Sequence, residues 1–391
     1  MPVPYLLTTL IYTFVAMLAA VDASLVSLNL LDTFIALRWV RVHFITLGII
    51  SQVIFGLLPI LVASLSKRER PSMRWNIWLT LNVGFIVLVA GFLGLNHPMI
   101  FTGGTLISIS AVLLVLQLRN IRGGDAPESL RFYITGVLYL LVGIVIGTGI
   151  FLQWSIPLHI KNALETHIHA NSWGFMSLVF AGLLVDFMPM LTDRPLSTAK
   201  NISRLYWGMT LGAFGLVMGP WLGSEPFLVV GLLLHVSATV SLIVLTIRSF
   251  KASGKLDSPG AWHLISSYIW IIAPIMMAPF ILLGIFESGP IESTAPQALI
   301  YGWVLQYGIA LIPFIARKFF IKEENPQLGG SWMSLTAATV GSLFVWASIF
   351  IVPARGVLHG IGFGLYALAL VQPLMEILQI ARDGLKKYGL A

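Results

Sequence analysis

Twelve runs of about twenty predominantly apolar residues leave this chain little choice of fold. They are centred near residues 16, 53, 86, 107, 141, 178, 212, 238, 273, 307, 342 and 367. A bilayer core about 30 Å thick is crossed by roughly 20 residues of helix. In lipid the backbone must satisfy its own hydrogen bonds, so runs of this length become helices. The interruptions are short and carry turn chemistry: Lys67 to Pro71, Arg122 to Pro127, Thr192 to Pro195, Ser253 to Gly260 and Glu323 to Gly330. None is long enough for a domain outside the membrane, and 57% hydrophobic against 10% charged residues leaves too little polar surface for one.

The second run recurs. Between Arg41 and Pro59 stand His43, Gly48 five residues on, and Gly56 eight after that. His169, Gly174 and Gly182 repeat the spacing, and Gln297, Gly302 and Ala310 echo it, with Pro313 placed after Gln297 as Pro59 is after His43. The marked position advances by 126 and then by 128 residues. Three copies of so long a period predict three structural units of four spans, at about 1–125, 126–255 and 256–391 of one transmembrane domain. The predicted fold is an all-α integral membrane protein of twelve transmembrane helices in three pseudo-repeats.

A formal charge of +7 suits nucleic acid as well as membrane, so placement decides. Nineteen of the 23 Lys and Arg fall in the loops after even-numbered spans and in the C-terminal tail. The other side has only Arg38, Arg41, Lys161 and Arg355. Short loops with that asymmetry place both termini in the cytoplasm of a multi-pass cell-membrane protein, with the bilayer and not nucleic acid as partner. Pro4–Leu28 lacks a basic flank and a cleavage site, so it reads as a first span and not a removed signal. The absence of Cys excludes thiolate metal sites, iron–sulfur clusters and disulfides within the chain. Six of the eight His (43, 97, 159, 167, 169 and 359) belong to the outer side, His235 to mid-depth and His263 to the inner edge.

Twelve spans in three units, with His near the outer ends of spans 2 and 6, resemble the haem–copper oxidase subunit I superfamily. The chain is most similar to its short relatives, including the NnrS-type haem–copper membrane proteins. The local matches are Arg38-Trp-Val-Arg41-Val-His43 and Glu165-Thr-His167-Ile-His169-Ala-Asn171-Ser-Trp173-Gly174. The resemblance implies a haem axial ligand at His43 and a propionate partner at Arg355. The departures are large. Span 10 has no His, Gln297 holding the repeat position, and span 7 lacks the paired copper ligands. Complete oxygen reduction by the family's route is therefore not expected.

From the residues, His43 and His169 are candidate bis-imidazole ligands of haem b, with Arg38, Arg41 and Arg355 neutralising its propionates. The plain alternative is a pair of interfacial side chains bonded to neighbouring helices, although a His in a bilayer is costly without function. His167 and His169 stand about 200° apart on a helix and cannot share a face. With Glu165, His159 and His97 they make a copper or zinc site a weaker candidate, His43, His167 and His169 being the metal-ligating set considered. His235 and His359 are further cofactor candidates, while His263 reads as a boundary residue. Asp186 and Glu376 lie near the inner ends of spans 6 and 12, where snorkelling is cheap, and Met276-Met277 reads as packing.

The function expected is haem b-binding electron transfer, or handling of nitric oxide or oxygen, in a respiratory chain, with copper as a second cofactor. Other respiratory membrane subunits, an extracytoplasmic cytochrome or cupredoxin, or quinol would be the partners. The rival readings are a cofactor-poor structural subunit of a larger complex and, behind it, a secondary transporter. Three parallel copies with an even number of spans fit the transporter class poorly.

Overall fold

The computed structural model describes residues 1–32, 37–121, 126–387 and 389. The turn expected from Arg122 lies largely outside them, at 122–125. The described residues form twelve helical rods and no strand. They are α1 (Val3–Ser27), α2 (Arg38–Leu65), α3 (Trp75–Leu93), α4 (His97–Ile121), α5 (Leu130–Phe151) and α6 (Ala163–Thr192), followed by α7 (Ala199–Leu222), α8 (Glu225–Ala252), α9 (Pro259–Ile281), α10 (Gly289–Ile321), α11 (Trp332–Ala347) and α12 (Arg355–Lys387). Ten of these are long and apolar enough to cross a membrane, which makes the chain a multi-pass all-α membrane protein. The two outside that set are α11, at 16 residues, and α7, whose apolar content is diluted by Gly208, Gly212, Gly215 and Gly219.

Burial sorts the rods. Of the apolar stretch of each, 94% is buried in α2, 78% in α6 and all in α10, against 28% in α8. Without a hydrophobic gradient between helices in lipid, such packing depends on close fit, and the glycines supply it. A Cβ on Gly103 of α4 would fall 2.8 Å from the Gly84 carbonyl oxygen of α3. One on Gly231 of α8 would fall 2.8 Å from Gly212 O of α7, and one on Gly362 of α12 would fall 3.0 Å from Gly341 O of α11. Each of these hairpins thus crosses backbone on backbone.

The rods α2, α6 and α10 also share an irregularity. Each contains a π-helical stretch, Phe44–Ile50, Ala170–Met176 and Ile300–Leu305, where the turn widens by one residue. The stretches begin one, one and three residues after His43, His169 and Gln297. Each holds a glycine that admits an aromatic ring from the helix preceding its rod: Gly48 meets Tyr12 of α1, Gly174 meets Tyr139 of α5, and Gly302 meets Trp270 of α9.

The chain divides into two compact units, Met1–Leu57 with Lys255–Ala391, and Leu58–Gly254. In the first, α1 lies along α12, tied by a hydrogen bond of 2.6 Å from Ser24 Oγ to Gly360 O. Gln52 and Gln306 are polar side chains buried in the same unit. Gln52 accepts from Thr8 Oγ1 at 3.0 Å, and Gln306 donates to Ser266 Oγ at 2.9 Å. In the second, α5, α6 and α7 pack around Tyr133, Trp173 and Phe175, and α3–α4 and α7–α8 form tight pairs.

Candidate functional site

In the second unit the entry to α6 is fixed against the end of α7. Lys161 N donates to Trp221 O at 2.9 Å and Asn162 N to Pro220 O at 3.0 Å. Asn162 then caps α6, its Oδ1 accepting from Glu165 N at 3.1 Å and its Nδ2 donating to Glu165 Oε2 at 2.8 Å. This docking sets His169 opposite Leu216. In a regular helix Leu216 O would accept from the N–H of residue 220, but residue 220 is proline and has none. His169 Nδ1 fills the gap at 2.6 Å from Leu216 O. A carbonyl only accepts, so Nδ1 carries a proton. Glu165 Oε1 stands 3.8 Å from Nε2, beyond hydrogen-bond reach.

His167 points elsewhere, as its two-residue offset from His169 requires. Its Nδ1 donates to Gly143 O of α5 at 2.7 Å, and a Cβ on Gly147 would run into its ring. Asn171 occupies the space left by Gly143 and donates from Nδ2 to His167 O at 2.8 Å. His235 of α8 is fully buried. Its Nε2 donates to Trp173 O, within the π-helical stretch of α6, at 3.2 Å, and Thr239 Oγ1 lies 3.2 Å from Nδ1. Both nitrogens are engaged, so His235 orients Trp173 and has no lone pair to offer. The Trp173 ring lies edge-on between the two imidazoles, its centroid 6.3 Å from His169 and 5.5 Å from His235.

In the first unit His43 stacks on Trp39, ring centroids 4.0 Å apart at 18°, and its Nδ1 donates to Trp39 O at 2.8 Å. His43, His167 and His169 therefore share one tautomer, with Nδ1–H committed to a carbonyl. That is the second-shell arrangement of an imidazole that ligates through Nε2. Arg41, two residues before His43, faces another way. It is 7% exposed, its guanidinium lies 4.3 Å over the Phe363 ring, and Nη2 donates to Gln297 Oε1 at 3.0 Å. Gln297 of α10 is thus bonded to the basic motif that precedes His43.

Arg38, Arg41 and Arg355 lie within electrostatic reach of His359. Arg38 donates to Ser293 O, and Arg355 Nε donates to Ser348 O at 3.3 Å. Ser348 gives its own proton to Val345 O at 2.6 Å, so it accepts from His359 Nε2 at 2.7 Å. Asp22 is the carboxylate that acts on Arg41. The sequence pointed to Arg38, Arg41 and Arg355 as a set and to His359 and Gln297 on other grounds, and hydrogen bonds and ring contacts link them here; Asp22 had no motif to mark it.

Among the described residues no group of three or more His, Asp or Glu stands together as a metal cage. Haem iron needs only one or two protein donors, so it is not subject to that count. A small apolar cavity lies in the first unit, lined in part by Thr13, Ile49, Gly308 and Leu370; its volume is about 10 Å³, room for one water. At the remaining positions Tyr133 donates to Asp186 at 2.5 Å, Arg317 pairs with Glu376 at 2.6 Å, and His263 Nε2 meets Ser334 Oγ at 2.9 Å. No known protein-family model matches this chain, and no curated protein does.

Proposed function

We propose that the protein is a haem b-binding membrane protein with twelve spans in three four-helix units, similar to haem–copper oxidase subunit I. It moves electrons, or handles nitric oxide or oxygen, in the respiratory chain of a cell membrane, both termini cytoplasmic. The observation that carries the cofactor is the common tautomer of His43 and His169, each with Nδ1–H on a backbone carbonyl at the start of a π-helical stretch. Imidazoles so held would suit haem iron as ligands: His43 would be the donor in the first unit and His169 in the second. Haem, when bound, supplies a one-electron couple; these side chains orient it and exclude water.

The threefold reading is supported by packing. The crossings Gly84 with Gly103, Gly212 with Gly231 and Gly341 with Gly362 recur at steps of 128 and 129 residues for the first member. The rings on the π-helical glycines, Tyr12, Tyr139 and Trp270, keep the same rhythm. On this reading α7 and α11 also span the membrane.

A second reading, a structural subunit of a larger respiratory complex, is favoured by one observation: each arginine reaches an internal neutral acceptor, Ser293 O, Gln297 Oε1 or Ser348 O. Purified membrane-derived protein decides between them. About one or two haems per chain by pyridine haemochrome, lost in H43A or H169A, support the cofactor reading. Correctly assembled protein without haem leaves the structural one.

A further inference from the structure

Basic residues are scarce on the charge-poor side of this protein, and three of the four there converge: Arg355 and His359 share Ser348, Arg41 lies over Phe363 beside His359, and Arg38 and Arg41 reach Ser293 and Gln297, one turn apart on α10. Orientation signals have no reason to converge. One donor at this cluster, Arg41 Nε, is buried without a hydrogen-bond partner. Arg41 is itself more than nine-tenths buried. The acceptors that the three guanidiniums reach are neutral, and Asp22 offsets one charge of three. A guanidinium presents five donors in a fork shaped for carboxylate and phosphate, and a buried donor without a partner marks a missing acceptor.

The surroundings narrow the class of anion. Arg38 is exposed, and Arg355 opens α12 beside Ile351 and Val352, which are 49% and 57% exposed. Val357 and Ile361, one turn apart on α12, are 54% and 40% exposed. Charge at the end of a helix with bare apolar side chains running down it fits the headgroup and acyl chains of a lipid.

We propose that Arg38, Arg41 and Arg355 hold the phosphate of an anionic phospholipid, whose acyl chains lie along the exposed face of α12. Detergent-purified protein is tested by native mass spectrometry and by titration with short-chain phosphatidylglycerol, phosphatidylcholine and inorganic phosphate, with haem assayed on the same samples. The expected result is one retained anionic lipid per chain and a preference of about tenfold or more for phosphatidylglycerol. That preference falls at least tenfold in R38Q/R355Q and falls less in R355K, which keeps charge but loses the fork. Equal retention of the two lipids overturns the proposal, as does inorganic phosphate competing as well as lipid. So does a variant that loses haem while keeping its lipid, which would give the guanidiniums to haem carboxylates. If R38Q/R355Q fails to assemble, an unchanged preference in R355K alone overturns it. Haem absent from the wild type bears on the functional reading and leaves this test intact.

Discussion

Pro220 is the residue through which α7 positions His169, and replacing it with alanine gives a signature that a general loss of structure does not. Pro220→Ala supplies an N–H directed at Leu216 O, the carbonyl on which His169 Nδ1 now sits at 2.6 Å. Removing an interior helix proline is worth up to about 3 kcal/mol of helix stability, so the variant should unfold no more easily than the wild type. A carbonyl has two lone pairs, so the imidazole is weakened and not evicted. The loss is bounded by the net worth of one hydrogen bond, about 0.5–1.5 kcal/mol, a factor of roughly 2–10 in rotamer and tautomer populations. Glu165 Oε1, 3.8 Å from Nε2, then competes for the proton and favours the Nε2–H form. Nitrogen-15 spectra of His-labelled protein, with the His169 signals assigned through H169Q, should show that shift, together with haem affinity lowered within the same bound, about 2–10-fold. A His169 spectrum identical to wild type would refute the reasoning, whatever happened to haem.

Other residues give sharper contrasts of stability. Gly231→Ala drives a Cβ to 2.5 Å from Leu216 N and should cost about 1–3 kcal/mol in mixed-micelle unfolding followed by tryptophan fluorescence. Gly289→Ala, with nothing within 4 Å, should cost nothing; equal effects would contradict the tight crossing. His235→Asn should keep its haem spectrum, because both ring nitrogens are already engaged, while losing about 1–3 kcal/mol from the partners left unmet. A haem loss as large as that of H169A would reinstate His235 as a ligand. Tyr133→Phe removes the donor to buried Asp186 and should destabilise by a similar amount in the same assay, with no change on the His169 signals.

The helices were legible because lipid allows little else, and the spacing that singled out His43, His169 and Gln297 also fell beside the π-helical stretches without revealing them. A π turn depends on i→i+5 bonds that hydrophobic periodicity does not encode. The opposite facing of His167 and His169 followed from 100° per residue. Their partners did not: Leu216 O is available to His169 because of a proline four residues further along another helix. His235 invited a ligand reading by depth alone, and the carbonyl of Trp173 that engages it is 62 residues away. Arg41 and Gln297 are 256 residues apart, so no local pattern joins them.

The measurement that bears most directly on the function is the optical spectrum of purified protein, oxidised and dithionite-reduced, with pyridine haemochrome on the same sample and H43A beside it. The account predicts a sharp reduced α-band, about one or two haems per chain in the wild type, and its loss or shift in H43A. Well-assembled wild-type protein with no haem band would contradict it.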